Sequence, residues 1–219
     1  MNPEMIAMLE SCLSRGFQVL VLSNAMRPMQ RFEVQLLDLR ERHGERLTIR
    51  VSLDHYTQDA HEAERGGGTW NRGLAGLKWL SDNDFSIAVA GRHLPDEDDI
   101  VAREGFTDLF ARENIAIDAR DPARLVIFPE MDAAADVPEI TTACWGILDV
   151  DPRTMMCASS RMVVKHKGAD KPVVAACTLL PHGEDFQMGE SLVEASRDVS
   201  LNHPHCARFC VLGGANCSA

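Results

Sequence analysis

The sequence predicts an α/β protein built on a parallel sheet and followed by a small cysteine-rich β-hairpin region. Three observations carry this expectation. Short apolar runs alternate with amphipathic stretches over residues 17–128, which is the pattern of βαβ units. Beyond residue 130 the pattern becomes two strand-like runs around a polar loop, as in a hairpin. Six of the seven cysteines, Cys144, Cys157, Cys177, Cys206, Cys210 and Cys217, fall in the last third of the chain. The expected division is therefore residues 1–135 and 136–219.

Each element has a local reason. Asn2 caps a first helix over Pro3–Arg15, with Pro3 at its first position and Gly16 as its stop. Phe17–Leu22 is a short apolar run suited to a buried strand. A helix comes next over Met29–His43, and Gly44 ends it. Leu47–Leu53 is the second strand, Thr69–Ser81 a helix, Phe85–Ala90 the third strand, Asp96–Glu113 a helix with acidic first turn, and Leu125–Phe128 the fourth strand. Parallel sheets bind ligands at the carboxyl ends of their strands. Ser23-Asn24, Ser52–Asp54, Gly91-Arg92 and Pro129-Glu130 are thus expected on one rim. Arg161–Lys165 and Pro172–Ala176 form the hairpin, and Gly213-Gly214 marks a final turn.

Composition narrows the function. The net charge is −11, whereas nucleic-acid binding needs a basic surface; the cluster Lys165-His166-Lys167, near Arg161 and Lys171, reads as a solvated hairpin tip. No apolar run reaches the ~20 residues a membrane span needs. The first residues do not form a signal peptide, because Glu4 and Glu10 interrupt them. A cytoplasmic location without nucleic-acid or membrane partners is expected.

In a reducing compartment, clustered cysteines point to metal rather than disulfides. Cys157 precedes the first hairpin strand and Cys177 comes just after the second, so the hairpin brings both to its open end. Cys206-x3-Cys210 adds two sulfurs, with Cys217 and Cys144 as further candidates. Zinc takes four thiolates too, usually from close C-x2-C knuckles, and this sequence has none. The wide spacing fits an iron–sulfur cluster better. His203 and His205 read as supporting or surface groups, and Cys12 as a small apolar residue. Asp54, His55 and Glu130 are acid–base candidates of a kind common at any such rim.

The stretch Val51–Leu80 contains Ser52, Asp54, His61, Arg65, Gly68 and Thr69 in a strand–loop–helix order. That order resembles the middle of radical S-adenosylmethionine enzymes with a cysteine-rich C-terminal extension. Leu22-Ser23-Asn24 resembles the family's preceding strand end, and Met1-Asn2-Pro3 resembles the residues just after its Gly-Gly-Glu-Pro motif. The hairpin between Cys157 and Cys177, with Gly168 in its turn, is similar to the SPASM or twitch extension. The resemblance implies a partial (β/α) barrel followed by an extension holding one auxiliary [4Fe–4S] cluster. It further implies S-adenosylmethionine near Asn24 and Ser52, with Arg65 on its methionine carboxylate. An intact member would cleave that cofactor to a 5′-deoxyadenosyl radical and modify a peptide or small molecule.

The family's C-x3-C-x2-C and Gly-Gly-Glu-Pro motifs do not occur here. The resemblance therefore implies a barrel lacking its first strands, either truncated or completed by a partner chain, and inactive alone. The first strand would then present an unpaired apolar edge, with poor solubility or oligomerisation as the consequence. The alternative function is a non-catalytic iron–sulfur or zinc module for electron transfer or partner docking.

Overall fold

The computed structural model describes residues 2–129, 132 and 134–213. The chain divides into two compact units, Met1–Glu130 and Met131–Ala219.

In the first unit the order is α1 (Met5–Ser14), β1 (Val19–Ser23), α2 (Arg27–Gln30), α3 (Glu33–His43), β2 (Leu47–Ser52), α4 (Gln58–Arg65), α5 (Trp70–Asp82), β3 (Ser86–Arg92), α6 (Asp99–Glu113) and β4 (Leu125–Phe128). The four strands form one parallel sheet in the order β1-β2-β3-β4, in the register Val21↔Ile49, Ile49↔Ile87 and Val89↔Leu125. The expected helix over 29–43 is two helices, because Phe32 leaves the helical path (φ −113°, ψ 19°) and packs on the core. Helix α6 starts where the Asp98 carboxylate accepts from the Ile100 N–H at 2.8 Å, a side-chain cap. It ends on Asn114 in the left-handed region (φ 53°).

Sequential strand order with right-handed crossovers places every crossover helix on one face of the sheet. The core obeys that rule. Leu47, Ile49 and Val51 of β2, Ile87 and Val89 of β3, and Leu125 and Ile127 of β4 cluster with Leu36, Leu39, Leu77, Leu80, Phe106, Leu109 and Phe110 of the helices. All those strand positions share one face. The opposite face carries Leu20, Leu22, Thr48, Arg50, Ala88, Ala90 and Val126, none of them in that core. Arg50 is nevertheless buried, while Leu20 and Leu22 on edge strand β1 are 37% and 54% exposed. No closed barrel forms among the described residues; the sheet is open.

The second unit holds α7 (Cys144–Leu148), α8 (Met156–Ser159), β5 (Met162–Val164), β6 (Val173–Ala175), β7 (Gln187–Gly189) and a π-helix over Cys206–Val211. The expected hairpin is β5–β6, antiparallel with Val163 opposite Val174, and β7 adds a third antiparallel strand. Arg161 is not part of a solvated tip. Its guanidinium donates to the carbonyls of Cys157, Ser160, Ala195 and Arg197, and so ties α8 to the 195–197 loop. Gly214 of the expected last turn lies outside the described residues. No described helix is long and apolar enough to cross a membrane.

Candidate functional site

The first unit carries a polar cleft of about 380 Å³ lined by Asn24, Met26, Asp54, Glu64, Arg65, Thr69 and Arg92. Asn24 comes just after β1, Asp54 comes after β2 and Arg92 ends β3, so the cleft sits at the carboxyl ends of three adjacent strands, where parallel sheets bind ligands. Glu130 lies outside the described residues.

The β1 end is shaped by close packing. Ser23 Oγ accepts from the Ala25 N–H at 3.0 Å, and Asn24 Oδ1 from the Met26 N–H at 3.1 Å. Ala25 is fully buried with φ 54°, a strained backbone for a residue with a Cβ. Helix α5 comes so near that a Cβ on Gly76 would lie 1.9 Å from the Ala25 carbonyl oxygen. Glycine there is what lets the loop lie on the helix and hold Asn24 at the cleft.

Asp54 and Arg65 form a two-point ion pair, Nε to Oδ2 at 2.5 Å and Nη2 to Oδ1 at 2.9 Å. The Asp54 side chain is only 8% exposed, so the guanidinium is its main source of charge compensation. The Asp54 backbone N–H donates to Nδ1 of His61 at 3.2 Å, which fixes the His61 proton on Nε2. That Nε2 is buried without a hydrogen-bond partner, and the ring meets Trp70 edge-on at 5.6 Å. Burial holds the imidazole below its ordinary value of 6.5, against the pull of Asp54. Helix α4 places both His61 and Arg65, and Glu62 of the same helix accepts from the Gly68 and Trp70 N–H groups. Arg92 pairs with Glu64 at 3.2 Å. The cleft therefore presents two carboxylates and two guanidiniums that keep spare acceptor and donor positions, a charge pattern that suits a zwitterion such as an α-amino acid group.

Buried His55 neighbours the half-buried Tyr56 and Glu97. Tyr56 Oη donates to Glu97 at 2.6 Å, and His55 Nε2 stands 3.4 Å from the other Glu97 oxygen. Bonding to Glu97, aided by burial, raises the Tyr56 phenol to about 12. Gly105 of α6 makes room for the Tyr56 ring, since a Cβ there would meet it at 2.5 Å. His55 is bonded through Nδ1 to Thr57 at 2.8 Å, its Nε2 has no hydrogen-bond partner, and it does not line the cleft.

Of the three residues assigned to the cofactor, Asn24 and Arg65 share this cleft. Ser52 sits at the last position of β2 opposite Ala90 and does not line it. The sequence reading missed Glu64 and placed no helix over 58–65. The QDAHEAER segment of α4 is polar nearly throughout and lacks an apolar stripe.

In the second unit the cysteines attach to two small cores that meet at the π-helix. Cys206 packs with Val174, Ala176, Phe186, Met188 and Ala195, and Cys177 is the next residue after Ala176. Cys157 and Cys210 pack against Ile140, Met155, Ala207 and Val211. Cys144 is turned to its own loop, its Sγ accepting from the Thr141 N–H at 3.4 Å. Cys12 is exposed on α1, and Cys217 lies outside the described residues. Among the described residues no three His, Cys, Asp or Glu side chains converge to hold a metal ion. One neighbour departs from a surface reading. Both ring nitrogens of His205, next to Cys206, are buried with no hydrogen-bond partner, a cost of about 1–3 kcal/mol for an unsatisfied group. Thiolates with an orphaned imidazole beside them are the donor types of an iron–sulfur or zinc centre, so the residues fit such a group in kind.

No family model matches the sequence, and no curated protein matches it.

Proposed function

We propose that the chain is an iron–sulfur protein of the radical S-adenosylmethionine kind. Its first unit is a partial (β/α) barrel that takes the cofactor's amino-acid end, and its second unit holds one auxiliary cluster. The observation that carries this reading is the rim cleft, in which Asn24 and Arg65 meet two carboxylates and a second guanidinium at the ends of three parallel strands. The one-sided helix layer supports it, since barrel sheets are wound that way and doubly wound sheets are not.

S-adenosylmethionine with a reducing cluster supplies radical chemistry when bound. This sequence lacks the C-x3-C-x2-C set for that cluster, so the chain's own part is binding and positioning. Asp54 holds the Arg65 fork in place, and the spare N–H groups of Arg65 receive the carboxylate. Asp54 and Glu64 accept from the ammonium. Asn24 offers its amide to the methionine or ribose part. Cys157, Cys177, Cys206 and Cys210 are the proposed cluster ligands, with Cys144 and Cys217 as alternates.

A second reading is a zinc-binding or non-catalytic iron–sulfur module that docks a partner or passes electrons. His205 beside Cys206 favours it, because mixed thiolate and imidazole sets are common for zinc. Two measurements decide. Anaerobic reconstitution should give about four irons and four sulfides per chain; stoichiometric zinc without iron overturns the cluster. Equilibrium dialysis should show S-adenosylmethionine bound, weakened by Arg65→Ala and by Asn24→Ala; no binding overturns the cleft assignment.

A further inference from the structure

The second unit brings together two histidines that the proposed function does not use. His166 stands just past the end of β5, in the loop that leads to β6. His182 lies after β6, in the Leu180–Gly183 turn closed by the Gly183 N–H on the Leu180 carbonyl at 3.3 Å. They are sixteen residues apart; His166 lies in the β5–β6 loop and His182 in the connection from β6 to β7, which folds back to meet it. Their Nδ1 atoms are 3.3 Å apart, with ring centroids at 5.2 Å and planes at 51°.

Two neutral imidazoles meeting through the same nitrogen can share only one proton between them, a single long hydrogen bond. The same spacing has a second use. A tetrahedral ion with metal–nitrogen bonds of about 2.0–2.1 Å holds its two nitrogens about 3.3–3.4 Å apart. The Nδ1 pair already has that bite. Both side chains are at the surface, so entry and exchange of an ion need no opening of the core. Lys165 and Lys167 flank His166 and are exposed, so their charge favours an anionic ligand over water at the open positions.

We propose that His166 and His182 form a two-imidazole site for a divalent first-row metal ion of the zinc class. Both bind through Nδ1 with the proton kept on Nε2, and the remaining positions are open to water or an anion. The site stands on its own geometry and does not depend on what the cysteines bind.

The test is a Zn²⁺ titration of the full chain labelled with ¹⁵N-histidine, read by long-range ¹H–¹⁵N spectra and by the number of zinc equivalents bound. Two imidazoles should change together at Nδ1. His166→Gln and His182→Gln should each lose the same single equivalent and leave any cysteine-bound zinc in place. Circular dichroism of both variants checks the fold, which these surface changes should leave intact. If both variants bind as many equivalents as the parent, or only one of them loses an equivalent, the two-histidine site is refuted.

Discussion

The two units are held together by different means. The first has strands of four to seven residues and a broad apolar core in which Phe106, Phe110, Leu77, Leu80, Ile49 and Val51 are almost wholly buried. The second has strands of three residues and two small cores, one around Phe186 and Met188, the other around Ile140 and Met155. Burial on the first scale can offset chain entropy; burial on the second rarely does without a staple. Six of the seven cysteines fall in that unit, and the proposed metal centre would be its staple. In the first unit charged side chains line the rim cleft, and in the second cysteines are part of the small cores.

If the proposed metal centre is that staple, removing it is the sharpest way to break this contrast. Chelating the metal-loaded chain, or replacing Cys206 and Cys210 by Ser, should unfold the second unit and leave the first folded. Structural metal sites are worth on the order of 10 kcal/mol. Amide exchange should collapse over β5–β7 and stay unchanged over β2 and β3. Equal loss in both units would sink the distinction.

Packing should dominate the first unit. Gly76→Ala drives a Cβ into the Ala25 carbonyl at 1.9 Å and should cost about 3 kcal/mol by thermal or urea unfolding. It should also weaken binding at the cleft, because Asn24 rides on that loop. Arg65→Ala leaves Asp54 buried without its partner. The cost should be about 2 kcal/mol, less than for a fully buried pair because the Arg65 side chain is one third exposed at 33%. Arg65→Ala with Asp54→Asn should recover part of it.

A smaller effect is pH. His61 is held neutral by burial, below its ordinary value of 6.5. Its contribution is fully present above 6.5 and is lost as pH falls below that value toward the folded-state pKa. Stability of the first unit should therefore drop as pH falls below 6.5. His61→Gln should flatten that slope; an unchanged slope assigns it to other groups. Smallest in stability, though visible in solution, is the β1 edge. Leu22 is 54% exposed on that strand, and Leu22→Lys should shift the chain toward monomer in sedimentation while leaving unfolding nearly unchanged.

Much of the framework was legible in the sequence because it is local. Apolar runs such as LTIRVSL and LVIF became parallel strands, and the stretches between them became helices, since period and length are read residue by residue. The β5–β6 hairpin was legible for the same reason. Strand β7 was not, because three residues with one buried side chain, Met188, leave no periodicity. The break at Phe32 depends on where the core lies, and so does the polar helix α4.

For the site, the sequence by itself placed Asn24, Asp54 and Arg92 on a common rim, because strand ends of one parallel sheet must share an edge. Only the tertiary structure decided how those residues are used. It paired Arg65 with Asp54 eleven positions away, drew His55 to Glu97 instead of the cleft, left Ser52 off the lining, and set His166 against His182. Side-chain pairing across a loop depends on how closely backbones approach, at Gly76 and Gly105 above all, and that distance is a property of the packed chain.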